Sequence, residues 1–233
     1  MNGVRGMVIG SGLIGSAFEK SQHEFKDSCV YASGVSNSNS SDCYEFKREQ
    51  DQLVYFLSKY RNLRRFYFIS TCSLYDSERN NSPYVKHKLN MENLVISNTN
   101  GVVIRLPQVV GRSTNPYTIT NFIYLSIKNQ KPFTLWEKAK RNLIDVDDVV
   151  KIVAALDVVD IKHHIINVAN VTNYKILDIV TEFEKIIGLK GIFKTADCGS
   201  EYEIDISDLS MLPFDVQSIF DEHYLTNLLR KYY

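Results

Sequence analysis

The segment Gly10-Ser11-Gly12-Leu13-Ile14-Gly15 constrains this chain more than any other. It follows a short apolar run, VRGMVI at 4–9, and opens a helical pattern carried by Leu13, Ile14, Ala17 and Phe18 to about residue 24. Each glycine has a physical task. Gly10 permits a tight strand-to-helix turn, Gly12 lets the backbone approach a pyrophosphate, and Gly15 lets the helix pack close to the strand. The phosphate then rests on exposed N–H groups at the positive end of the helix. In that strand–turn–helix context the spacing reads as a cradle for a dinucleotide. The bland alternative is an ordinary glycine-rich turn.

The rest of the chain alternates strand-like and helix-like patterns. Strands are predicted at 28–33, 65–70, 101–106 and 163–168, the last beginning with His163 and His164. Helices are predicted at 44–60, 83–97, 116–129, 146–157, 174–187 (stopping at Gly188) and 216–231. Such alternation gives an α/β fold: a Rossmann-type parallel sheet covered on both faces, binding ligands at the carboxyl ends of its strands. Residues 1–170 read as the dinucleotide-binding domain, with insertions from 108–140 on the substrate side; 171–233 reads as a small C-terminal α/β cap.

Composition narrows the partners. Twenty-seven basic and 27 acidic residues give a net charge of zero, against general affinity for nucleic acid or an anionic membrane. No apolar window is long enough to span a bilayer and no signal peptide is visible, so the expected location is the cytoplasm. Cys29, Cys43, Cys72 and Cys198 lack metal spacing and read as free thiols. Asp145, Asp147 and Asp148 read as helix-capping acids rather than ligands, so no metal is expected.

A second constellation suggests chemistry. The strand RFYFIS leads into Ser70-Thr71-Cys72-Ser73-Leu74-Tyr75, and a helix then begins Ser82-Pro83-Tyr84-Val85-Lys86-His87-Lys88. Tyr84 and Lys88 are four apart and share a helix face. An ammonium beside a phenol favours the phenolate, which predicts a lowered Tyr84 pKa and an acid/base role. Thr71 can hydrogen-bond the same substrate oxygen. His87 reads as a surface histidine, Cys72 as a packed thiol more readily than a nucleophile, and Trp136 as either a pocket wall or packing.

Together these segments resemble the extended short-chain dehydrogenase/reductase family of nucleotide-sugar epimerases, dehydratases and ketoreductases. The resemblance runs through Thr71 and Tyr75, Pro83-Tyr84 to Lys88, Arg105-Leu106-Pro107-Gln108-Val109-Val110-Gly111, Arg141 to Val149, and Ile166-Asn167-Val168. It implies NAD or NADP as cofactor and a nucleotide sugar as substrate. Tyr84 is then the acid/base, Lys88 the ribose ligand and Thr71 the orienting hydroxyl. Cofactor contacts fall at Gly10 to Gly15, Ala32, Ser33, Gly34, Ser70, Tyr84, Lys88 and Pro107; substrate contacts at Cys72, Ser73, Gln108, Trp136 and Arg141. A homodimer through helices 45–60 and 83–97 is also implied.

The chain departs from the family pattern in three places. Cys72 and Ser73 stand where dehydratases carry Asp-Glu, which argues for epimerisation or carbonyl reduction rather than water elimination. A second phosphate-clamping Arg is missing, with Lys194 the nearest candidate. Only one strand, ending Tyr31-Ala32-Ser33-Gly34, lies between the glycine turn and residue 65. It reads as the family's fourth strand in preference to its second, so the adenosine pocket is shortened or rebuilt by the Ser36–Ser41 loop. Those missing strands motivate a second reading, a non-catalytic dinucleotide- or sugar-nucleotide-binding sensor or partner subunit.

Overall fold

A computed structural model describes residues 6–98, 100–161 and 164–233; His163 lies outside the described residues. The chain opens with β1 (Met7–Ile9), α1 (Leu13–Lys20), β2 (Ser28–Tyr31), α2 (Cys43–Lys59), β3 (Arg65–Thr71), α3 (Pro83–Ile96) and β4 (Gly101–Leu106). It continues through β5 (Gln108–Val110), α4 (Ile119–Lys128), β6 (Phe133–Trp136), β7 (Lys140–Asp145), α5 (Val146–Val158) and β8 (Ile165–Asn167). It closes with β9 (Asn173–Lys175), α6 (Ile176–Ile187), β10 (Phe193–Ala196) and α7 (Tyr224–Tyr232). The main sheet is parallel, in the order β1-β2-β3-β4-β8. The expected Rossmann-type α/β architecture with a reduced strand number is therefore present.

Side-chain alternation sorts the sheet's two faces. Val30, Tyr67, Val102 and Ile104 point into a large core with Phe18 of α1 and Val149, Ile152 and Val153 of α5. Cys29, Tyr31, Phe66, Phe68 and Val103 point the other way, onto Leu53 and Leu57 of α2 and Met91 and Val95 of α3. The large core continues without a break into Ile176, Phe183 and Leu228 of the C-terminal elements.

The strand order settles the place of residues 28–31. They lie between β1 and β3, where the family's fourth strand stands, and not on the far side of β1. Among the described residues β1 has one neighbour and forms the sheet's edge. A topological consequence follows. The steps β1 to β2 and β2 to β3 run in the same direction across the sheet, yet α1 lies on the α5 face and α2 on the opposite one. The two crossovers therefore have opposite hands. Right-handed connections make up about 98% of such units, and α2 and α3 share a face, so the α1 crossover is the left-handed one.

Several predicted boundaries are corrected. The predicted helix 216–231 is two pieces, a 3-10 turn at Val216–Ile219 and α7 from Tyr224. The Asp221 carboxylate accepts the His223 N–H at 2.9 Å and makes a separate turn between them. The helix predicted from 116 starts at Ile119, because Thr118 caps it by accepting the Asn121 N–H. Residues 173–175 form β9 against β7 rather than the first turn of α6. The strand predicted over 28–33 ends at Tyr31. Strands β5, β6, β7 and β10 escaped the sequence reading. Gly188 does end α6, in the left-handed conformation at φ 75°.

One buried group is left unsatisfied. The Tyr31 hydroxyl, sealed among Phe56, Phe66 and Phe68, has no hydrogen-bond partner among the described residues. An unpaired buried hydroxyl is destabilising, so Tyr31→Phe is expected to raise unfolding free energy by about 1 kcal/mol in urea titration. A loss of stability would show that the hydroxyl does bond in solution.

Candidate active site

The glycine turn takes the shape its spacing predicts. Gly10 sits at φ +127°, and a side-chain carbon there would lie 2.4 Å from the Ala32 carbonyl oxygen. A carbon on Gly15 would lie 2.3 Å from the Gly10 oxygen. A carbon on Gly12 would meet nothing within 4 Å. Gly12 is also the N-cap of α1 and supplies no capping side chain, so the first-turn N–H groups stay available. An open approach at Gly12, backed by tight packing at Gly10 and Gly15, fits a pyrophosphate. Ser11 holds the turn by accepting from Ser16 Oγ at 3.1 Å; Leu13 packs on Gly111 and Ile14 on the large core.

A cleft of about 640 Å³ adjoins this turn, lined among others by Ser11, Gly12, Lys20, Arg112 and Lys231. The C-terminal tail thus reaches the turn, which the sequence reading did not foresee. The tail is anchored: Lys231 Nζ and the Tyr232 hydroxyl donate to Asp145 at 2.7 and 2.6 Å, and the Tyr233 hydroxyl donates to Asn121.

The second constellation assembles on the adjoining strand ends. Strand β3 delivers Thr71, whose oxygen accepts the Ser73 N–H at 3.0 Å and donates to Ser73 Oγ at 2.9 Å. Helix α3 starts with Ser82 accepting the Val85 N–H at 3.2 Å and Pro83 in its first turn, which fixes Tyr84 and Lys88 one turn apart. Tyr84 is buried, with the Thr71 hydroxyl near enough to ease its ionisation. The expected lowering of the Tyr84 pKa is overturned. Burial pushes it up to about 12, the nearby Thr71 hydroxyl opposes that, and the Glu49 charge adds to it.

Lys88, meanwhile, is engaged elsewhere. Its Nζ lies 3.0 Å from Glu49 Oε1, 3.1 Å from the Ile69 carbonyl and 4.4 Å from the centre of the Phe68 ring. Glu49, on α2, was missed. A signal existed: it falls three residues after Phe46 and four before Leu53, inside the apolar stripe of its helix. His87 is likewise not a surface residue. It is buried, stacks on Phe46 at 4.4 Å, and meets Glu49 Oε2 at 2.9 Å.

The turn and the constellation are contiguous. Gly10 abuts Ala32 and Ser33, and a side-chain carbon on Gly34 would lie 2.7 Å from Glu49 Oε1 and 2.8 Å from Lys88 Nζ. A ligand seated on Gly12 and reaching Tyr84 crosses this backbone.

Several other residues that the resemblance names are bonded within the fold. Ser70 Oγ donates to Glu92 at 2.6 Å, and Arg105 pairs with Glu92 at 2.6 Å. Arg105 also donates to the Tyr75 hydroxyl, which donates to Asn167 Oδ1, both at 3.1 Å. Arg141 is buried and donates to the Lys140 and Ser200 carbonyls. Cys72 is fully buried, and burial pushes its thiol far up, which removes it as a nucleophile. Pro107 and Gln108 are half-buried at the β4–β5 junction. Trp136 is 40% exposed at the end of β6, outside the core. Lys194 is exposed on β10.

The sequence model of the NAD dependent epimerase/dehydratase family matches residues 28–169. The chain belongs to this family. Among curated proteins none matches the sequence. Solved structures do match in fold. MoeE5 in complex with UDP-glucuronic acid and NAD has a TM-score of 0.78, at 14% identity, over 98% of this chain and 97% of that one. RMD from Pseudomonas aeruginosa complexed with NADPH has a TM-score of 0.74, at 14% identity, over 97% of each chain. UDP-glucuronic acid 4-epimerase from Bacillus cereus, in complex with UDP-glucuronic acid and NAD, has a TM-score of 0.70 at 19% identity, over 94% of this chain and 76% of that one.

Proposed function

We propose that this family member is an NAD(P)-dependent enzyme acting on a nucleotide-activated sugar, by epimerisation through a transient ketone or by keto-sugar reduction. One observation supports this above the others: the open phosphate turn and the buried Thr71–Tyr84–Lys88 group share one continuous surface through Ala32–Gly34. A nicotinamide ring, when bound, supplies the hydride acceptor and donor. The protein's share is proton transfer and placement. Tyr84 exchanges a proton with the sugar hydroxyl or carbonyl oxygen, and Thr71 beside it orients that oxygen by hydrogen bonding. Lys88 offers a ribose hydroxyl its remaining N–H. With Tyr84 pushed up to about 12 the phenol is protonated at neutral pH, the form that donates to a carbonyl. Cys72 and Ser73 supply no carboxylate beside Thr71, which disfavours water elimination.

In this reading residues 1–170 carry the dinucleotide and 171–233, with 108–140, form the substrate lobe around Arg141 and Gln108. Exposed Tyr44, Val54 and Tyr55 on α2 suit a homodimer through α2 and α3. No helix among the described residues is long and apolar enough to cross a membrane; we place the enzyme in the cytoplasm.

The edge position of β1 favours a second reading, a non-catalytic binder with a truncated adenosine side. Fluorescence titration with NADH and NADPH, then product analysis over a panel of UDP- and other nucleotide sugars, separates the two. Binding with turnover is expected. Binding without turnover over the whole panel supports the binder, and binding of neither cofactor defeats the enzyme reading.

A further inference from the structure

Glu49 is a buried carboxylate that the proposed chemistry does not use. Its side chain is 1% exposed and gathers groups from two further elements: Lys88 Nζ at 3.0 Å and His87 Nε2 at 2.9 Å from α3, and the Val35 N–H at 2.9 Å from the segment after β2. Burial alone would push its pKa up. The His87 hydrogen bond, the Lys88 charge and the Val35 N–H together hold it down at about 2, so it is ionised at every working pH.

We propose that Glu49 is a positioning residue of the cofactor site, acting through Lys88: it aims the ammonium, offsets its charge, and ties the segment that follows β2 to both. The proposal rests on the roles given above to Tyr84 and Lys88.

The geometry carries it. A lysine ammonium has three N–H donors. Glu49 and the Ile69 carbonyl occupy two, and the Phe68 ring covers one flank, which leaves one donor for a ligand hydroxyl. The same carboxylate fixes Val35, one residue beyond the Gly34 backbone that packs against Lys88 Nζ. Moving Glu49 therefore moves both walls of the ribose position. Charge gives a second handle. The titratable and charged groups around this carboxylate are Tyr31 from β2, Arg48 from its own helix, and Tyr84, His87 and Lys88 from α3. Glu49 opposes ionisation of Tyr84. Removing its charge eases that ionisation, so the limb of the pH–rate profile that reports Tyr84 moves to lower pH.

The test uses the full chain and the variant Glu49→Gln, with three readouts: thermal melting, NADH and NADPH affinity by fluorescence, and a pH–rate profile on whichever nucleotide sugar is turned over. Affinity is expected to fall about tenfold as preorganisation of the ribose seat is lost, and the tyrosine limb to move down by about half a pH unit. Wild-type affinity in Glu49→Gln overturns the proposal. So does a lower rate with an unmoved limb, the result that loosened packing alone gives. Should Glu49→Gln fail to melt cooperatively, Glu49→Asp decides. It keeps the charge but withdraws it from Lys88, so weaker cofactor binding is expected and unchanged binding overturns the proposal. Failure of the wild type to bind either cofactor defeats the proposed function instead, and the two failures are distinguishable.

Discussion

Tyr84→Phe is expected to reduce turnover of the nucleotide sugar by about 10²–10⁴-fold, the usual contribution of a positioned acid/base group. The ring stays, so the packing of Val35, Val85 and Phe46 around it is kept. Only the hydroxyl and its contact with Thr71 go. Cofactor affinity and melting temperature should therefore remain close to wild type. Steady-state kinetics beside fluorescence titration reads both. Retained activity would remove Tyr84 from the chemistry, and a parallel loss of binding and stability would make it a structural residue instead.

The second large effect separates two glycines of the same turn. Gly12→Val adds atoms where nothing lies within 4 Å, and its φ of −74° is one any residue adopts. The fold should be unaffected, while cofactor affinity falls about 100-fold or more because the valine fills the pyrophosphate position. Gly15→Ala does the reverse. Its methyl would sit 2.3 Å from the Gly10 carbonyl oxygen, so the turn must open, at a cost of about 2–3 kcal/mol. Urea unfolding and NAD(P)H titration on the two variants give opposite patterns. Equal stability loss in both would show that Gly12 is also a packing glycine and not the open face of a cradle.

What could be read from the sequence was local. The glycine turn and the Tyr84–Lys88 pair announce themselves through spacings of a few residues, each dictated by one turn of helix or one close backbone approach. Helix α6 carries an unbroken apolar stripe, and α2 and α3 carry stripes interrupted only by the charged residues of the site. What could not be read depends on contacts made across long stretches of chain. Glu49 pairs with residues 38 and 39 positions away, and Tyr84 is pushed up rather than down chiefly because the fold buries it. Strand β7, KRNLID, is buried at Arg141 and Asn142 because Asn142 binds the Asn170 carbonyl and Asn173, so polar residues occupy a core position that periodicity assigns to apolar ones. Tyr232 and Tyr233 look like a featureless tail until Asp145 and Asn121 receive them. The hand of the first crossover has no local code at all.

Among the described residues strand β1 has three residues, one neighbour and no strand outside it, and it leads directly into the glycine turn. In a full doubly wound sheet the corresponding strand is held from both sides. Here no described strand pairs with the outer side, and a ligand that binds only the closed edge stabilises it by mass action. Occupancy and edge integrity are then a single equilibrium: the cofactor is a missing piece of scaffold as well as a reagent. Amides of residues 7–9 should exchange with solvent faster than those of β3 in the free protein and slow when the turn is filled.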